Sequence, residues 1–318
     1  MLSYISAVSL GFVLGFVRLV GAHPYTVHDT YIGGSFYNGF TAQAISDPTN
    51  GRVNYVDTPT AQGLNLTYAS SDTFILRTDF TSFLDPNGPG RDSVRLISNN
   101  VYTTSVIVAD IRHMPQGCAT WPALWTVANP WPNLGEIDII EGVNDQSPNQ
   151  ATLHTTPGCT QPANRAQTGK SVSNDCNTYV NNNVGCGVRS TLSNSYGPSF
   201  NSNGGGWYAM ERTSSSITVW FWPRGSGPPS NVANGENFID TSTWGEPMAL
   251  FVNDSCDIAS KFGPHNILIN LTLCGTWAGQ PSVYSSAGCP GSCVDHVNNN
   301  PSAFTNAYFE FASLRVYT

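Results

Sequence analysis

The chain has 318 residues, with 21 acidic against 13 basic side chains, a formal net charge of −8 and only 11% charged residues. That length suffices for one large domain with a sizeable core. An acidic, charge-poor surface repels nucleic acid and anionic lipid, so a neutral partner fits better.

Residues 1–22 are a long apolar run with no acid and one base, Arg18, ending in Val20-Gly21-Ala22. They read as a secretory leader cut before His23. A signal anchor is the rival reading, because the run approaches the roughly 17–25 residues that span a bilayer. Removing it leaves 12 basic against 21 acidic side chains, a net charge of −9. Residues 23–318 are expected to form a single exported domain.

All eight cysteines (118, 159, 176, 186, 256, 274, 289 and 293) follow the leader. An even number in an exported chain predicts up to four disulfides, with the pairing left open. Cys289-Pro-Gly-Ser-Cys293 is the one close pair, without histidine at zinc-finger spacing, so no metal site is expected. Asn65, Asn253 and Asn270 begin Asn-x-Ser/Thr sequons, in keeping with export.

Along the chain, residues 23–60 carry glycines, aromatics and the turn signal Asp47-Pro-Thr-Asn-Gly51, and read as outer strands. Short β-prone runs continue through 64–76 and 94–108, with no strong helical periodicity. Trp121, Trp125 and Trp131 come just ahead of an acidic stretch. Indole faces can pack against the C–H faces of sugar rings, although aromatics in β domains are often core.

The centre of the chain is Gly135-Glu-Ile-Asp-Ile-Ile-Glu-Gly142. Isoleucines between glycines predict a short strand on which Glu136 and Asp138 share a face. Strict alternation would bury Glu141 on the apolar side, where an unpaired carboxylate costs several kcal/mol. A single β-bulge within 139–141 returns it to its companions. The two glutamates, with Cα atoms roughly 13 Å apart, can then lean together. Carboxyls about 5–5.5 Å apart suit a retaining glycosidase, whereas about 6.5–9.5 Å suits an inverting one, and retention is the expectation. An acidic edge strand or a calcium site explains the isoleucines less well.

His154, on Ala151-Thr-Leu-His-Thr155, reaches the acids if that run is the neighbouring strand. Residues 157–206 read as long loops pinned by disulfides. In Ser216–Trp222, Thr218, Trp220 and Trp222 share a face that could extend a binding surface; Glu211 is a possible fourth cleft acid, though a salt-bridged surface residue fits it better. From 265 to 273, Ile267, Ile269, Leu271 and Leu273 form an inward row, leaving Asn270 outward as a glycan site. Residues 309–317 read as a closing strand.

Glu136-Ile-Asp-Ile-Ile-Glu141, with Trp121-Pro-Ala-Leu-Trp125 upstream and Leu153-His-Thr155 downstream, resembles glycoside hydrolase family 16, close to its fungal laminarinase-like endo-1,3(4)-β-glucanases. Cys274-Gly-Thr-Trp277-Ala-Gly279 is similar to a second family signature, with Thr276 where many members carry aspartate. The resemblance implies an all-β, concanavalin A-like jelly-roll sandwich with a concave substrate cleft. It further implies Glu136 as nucleophile, Glu141 as acid/base and Asp138 as their assistant. Trp125, Trp131 and Trp277 would line or border the cleft, with Trp121 beneath it and His154 within reach. The expected protein is a secreted monomer that hydrolyses neutral β-glucan and needs no cofactor. A cell-wall transglycosylase would use the same glutamates, and a lectin-like module would keep the tryptophans without them.

Overall fold

The computed structural model describes residues 24–318, so the expected leader lies outside the described residues. Two large antiparallel sheets share one apolar core. In the first, the strand order is Phe238–Asp240, Pro24–Tyr31, Tyr308–Tyr317, Ser105–His113, Gly206–Arg212, Ser216–Pro223 and Ala249–Val252. Phe74–Arg77 and Thr67–Ala69 attach beside Tyr308–Tyr317, making nine strands. In the second, the order is Lys170–Ser171, Cys186–Arg189, Gln150–His154, Glu136–Glu141, Thr120–Val127, Asn266–Leu273, Arg95–Ser98 and Phe40–Ala42. The acid strand is therefore fourth of eight, in mid-sheet. This is the expected all-β jelly roll.

The core follows from alternation. Ile267 and Ile269 point inward with Leu124, Ile137, Ile139, Ile140 and Leu153, and meet Ile107, Tyr208, Met210, Val219 and Phe311 from the other sheet. Cutting one of the fully buried isoleucines back to alanine costs about 2–5 kcal/mol. Leu271 and Leu273 continue the row but enter a separate cluster with Tyr284, Val297 and Phe304.

That cluster lies among helices at Gly275–Ala278, Pro281–Ser286 and Cys293–Asn299, which the strand-based reading missed. At seven residues, the last of these is too short for a periodic signal. Its start was legible: Ser292 Oγ accepts from the Asp295 N–H at 3.2 Å and donates to the Asp295 carboxylate at 2.7 Å. All eight cysteines are paired, as 118–289, 159–256, 176–186 and 274–293. Two of these bridges tie the helical stretch to the chain around the cleft sheet, and the other two pin the 157–206 loops.

The Trp220–Trp222 row does not extend the cleft. It lies on the outer face of the nine-stranded sheet, with Trp207, Trp244, Val106 and Val108 in a second apolar cluster. Glu211 is on the same sheet, opposite Thr218, and accepts a 2.6 Å hydrogen bond from Thr241 Oγ1. It is neither a cleft acid nor, among the described residues, part of a salt bridge.

Candidate active site

Two glycines frame the acid strand, each for a steric reason. Gly135 has φ +76°, a left-handed backbone that strains any side chain. Gly142 lies against the Tyr196 ring, where an added Cβ would come within 2.6 Å of Cζ. Between them, Glu136, Ile137 and Asp138 oppose Val127, Thr126 and Trp125; then the register shifts, and Ile140 and Glu141 oppose Leu124 and Ala123.

Ile139 is the extra residue, which is the expected bulge. Directly opposed residues of an antiparallel pair share a face. Val127, Trp125 and Ala123 are alternate residues of one strand, so the three acids opposite them emerge together. The three isoleucines, all at most 1% exposed, belong to the core.

On the other flank, Glu136 opposes His154 and Asp138 opposes Thr152, placing His154 on the acid face. Its Nδ1 is 2.9 Å from Asn183 Oδ1, and its Nε2 is 3.5 Å from Asp138 Oδ2. If Asn183 accepts from Nδ1–H, the other nitrogen presents a lone pair to Asp138. Burial lowers the histidine pKa, opposed by Glu141 and by the Asn183 hydrogen bond. Donor atoms of Glu136, Asp138 and His154 all lie within 4.8 Å of one another. The trio has the spacing to grip a metal ion, but a proton shared between two buried carboxyls meets the same electrostatic need.

Burial dominates the titration of all three acids. It pushes Asp138 well above the usual carboxyl range, helped by the charges of Glu136 and Glu141 and by its hydrogen bond to Glu136. Asp138 therefore holds a proton more readily than an ordinary aspartate. Glu136 is raised by desolvation but held down by the Trp131 indole N–H, the Arg95 guanidinium and the Asp138 proton. Glu141 is raised by desolvation and by Glu136, against the pull of the Trp121 indole N–H and His154. Desolvation thus raises both glutamates from 4.5 to about 7, and the charge on either one resists ionisation of the other acids beside it.

The cleft floor continues across the neighbouring strands. Trp121 does not pack beneath the cleft: its Nε1–H donates to Glu141 Oε1 at 2.9 Å, and its ring meets Trp277 edge-on at 5.5 Å. Trp125 Nε1–H donates to Asn270 Oδ1 at 2.7 Å, while Arg95 lies 5.0 Å from its ring centroid. Trp131 is 44% exposed and faces Glu136.

Asn270 is on the expected outward row, but that row is the cleft floor. It is 6% exposed, opposes Ala123, and its Nδ2 donates to Tyr55 Oη at 3.3 Å. Its amide is committed and shielded, so it is not a glycan site. Asn65 and Asn253 are exposed. Tyr55, Arg95 and Asn149 escaped the sequence reading, which placed Asn270 outward but took it for a glycan site. They come from different strands and loops, and only the sandwich brings them to the acids.

Indoles beside three crowded carboxyls on one face of a jelly-roll strand, Asp138 buried and the two glutamates partly open, define a carbohydrate-cleaving site. Residues 40–317 match the family described as "XgeA-like, catalytic GH16 domain". The chain thus belongs to glycoside hydrolase family 16, as the motif resemblance implied, and is a glycoside hydrolase.

It is 43% identical over 302 residues to a probable glycosidase of Schizosaccharomyces pombe, covering 93% of this chain and 70% of that one. A probable endo-1,3(4)-β-glucanase of Neosartorya fischeri is also 43% identical, but this chain spans only 46% of its length. Among solved structures, a laminarinase from Phanerochaete chrysosporium, bound to β-glucans in donor and acceptor sites, is 59% identical with a TM-score of 0.92, covering 93% of this chain and all of that one. An elongating β-1,3-glucosyltransferase of the family is 41% identical with a TM-score of 0.86, over 92% of this chain and all of that one.

Proposed function

We propose that this domain hydrolyses internal β-1,3 and mixed β-1,3/1,4 bonds of neutral β-glucan, with retention at the anomeric carbon. The observation that carries the reading is the bulge at Ile139, which sets Glu136 and Glu141 on one face. In the first step a Glu136 oxygen bonds to the anomeric carbon as the glycosidic C–O bond breaks, and Glu141 gives its proton to the departing oxygen. Esterification removes the Glu136 charge that had raised the Glu141 pKa, so that pKa falls and Glu141 stays ionised, ready to act as a base. In the second step Glu141 takes a proton from water, the water oxygen bonds to the anomeric carbon, and Glu136 leaves as carboxylate.

Asp138 holds Glu136 in place through the shared proton, and Trp121, Trp125, Trp131, Trp277 and His154 bind the glucan. The chain acts as a secreted monomer, with 1–22 as leader and 23–318 as the catalytic domain. Four disulfides fit an oxidising compartment. No described helix is long and apolar enough to cross a membrane.

A panel of laminarin, lichenan, cellulose, xylan and agarose tests the substrate. New reducing ends are expected from laminarin and lichenan; release from neither contradicts the reading. A second reading, transfer to a sugar acceptor, is favoured by the likeness to the glucosyltransferase. Products that lengthen when laminari-oligosaccharide is added would select it.

A further inference from the structure

A bulge creates a local deficit of backbone partners, and here one side chain makes it good. Strand Gln150–His154 pairs with the acid strand only at Glu136, Ile137 and Asp138. Beyond the bulge, the Ile139 carbonyl and the Glu141 N–H lack that neighbour, and buried backbone groups left unpaired are costly. Asn149 supplies both bonds. Its Nδ2 donates to the Ile139 carbonyl at 2.9 Å, and its Oδ1 accepts from the Glu141 N–H at 3.1 Å.

Asn149 is itself fixed. It is fully buried; its N–H donates to Ser195 Oγ at 3.0 Å, and its carbonyl accepts from the Ser190 N–H at 2.9 Å. Ser195 Oγ donates in turn to the Leu192 carbonyl at 2.7 Å. The next residue, Tyr196, is the ring against which Gly142 rests. One short segment thus braces the acid strand both at and after its bulge. With every one of its polar groups engaged, Asn149 has none left for substrate.

We propose that Asn149 is the positioning residue for Glu141, acting as a side-chain substitute for the missing strand bonds and so aiming the proton donor at the departing oxygen. The proposal rests on the acid/base reading of Glu141 given above. Asparagine is suited to the task because one planar amide offers a donor and an acceptor side by side. Aspartate keeps the acceptor but turns the other atom into a carboxylate oxygen facing the Ile139 carbonyl, and alanine removes both bonds.

The test compares two substrates by kcat/KM, which reports the first, glycosidic bond-breaking step. Laminarin needs a proton donor, whereas a 2,4-dinitrophenyl β-laminaribioside has a leaving group that departs without one. Asn149→Ala is expected to lose about 10²-fold on laminarin, the order that misplacement by an ångström can cost. The loss on the dinitrophenyl substrate should stay below about tenfold, because acid catalysis contributes little there. Asn149→Asp should show the same split and serves if the alanine variant fails to fold, with melting temperature as the control. Equal losses on both substrates, or no loss on either, would overturn the proposal.

Glu141→Ala in parallel separates the two claims. If it shows the split and the Asn149 variants do not, the positioning role is wrong and the acid assignment stands. If Glu141→Ala shows no split, the acid assignment fails and the positioning role falls with it.

Discussion

The protein uses its eight tryptophans in two opposite ways, on the two outward faces of one sandwich. On the cleft face, Trp121, Trp125, Trp131 and Trp277 are partly exposed, and the first three turn their indole N–H groups to Glu141, Asn270 and Glu136. On the far face, Trp220, Trp222 and Trp244 pack edge-to-face and parallel at 5.2–6.5 Å, and Arg224 covers the Trp207 ring at 3.9 Å. One face leaves rings open beside carboxyls; the other closes them on each other. The same residue type thus reads as binding surface or as a second core according to what stands next to it.

The largest break in this contrast should come from the acids. Glu141→Gln is expected to lower kcat on laminarin by about 10²–10⁴-fold, the usual contribution of a general acid, and Glu136→Gln by at least as much, with circular dichroism unchanged. A variant of either with near-normal turnover would refute its role.

Those variants should not weaken the fold. Both glutamates have folded-state pKa values raised from 4.5 to about 7, so the native state holds protons that the unfolded chain has released. Stability is therefore lost as pH rises from 4.5 through about 7. Either glutamine variant should melt at a temperature equal to or above that of the parent at pH 7.5, with the advantage vanishing below pH 4. A large drop at pH 7.5 would contradict the electrostatic account. For the same reason, kcat/KM should decline as pH rises through about 7 and Glu141 gives up its proton.

The two tryptophan faces should separate cleanly. Trp277→Ala is expected to raise KM about tenfold, or about 1.4 kcal/mol, with little change in melting temperature. Trp220→Ala, at a site 5% exposed, should cost about 3–5 kcal/mol of stability and leave the KM of the folded enzyme unchanged. The reverse pattern would assign the binding surface to the far sheet. The smallest effect concerns charge: with a neutral glucan, activity should vary by less than about twofold up to 0.5 M salt.

The acid strand was legible because its conflict was local. Three carboxyls among isoleucines cannot all face water on a regular strand, and the bulge follows from that conflict alone. The inward row of Ile267 to Leu273 was legible for the same kind of reason. The cleft floor was not, since Asn270 looks like any outward sequon until the sheet's concave side is known. Asn149 was hidden further: its function is to replace a backbone partner, and which backbone groups lack one is a property of register, not of residue type. The helices at 275–304 carry too few turns to show a period, although the Ser292 cap did mark one of their starts.

The central claim, that the irregularity at Ile139 makes a nucleophile and a proton donor out of two glutamates on one face, is tested most directly by trapping. The enzyme is incubated with a 2-deoxy-2-fluoro-laminaribiosyl fluoride, which forms the glycosyl ester readily but hydrolyses it slowly, and the digest is read by mass spectrometry. One added disaccharide on the peptide containing Glu136, attached to that side chain, is the predicted result. Attachment to Glu141, or inactivation with no covalent adduct, would contradict the account.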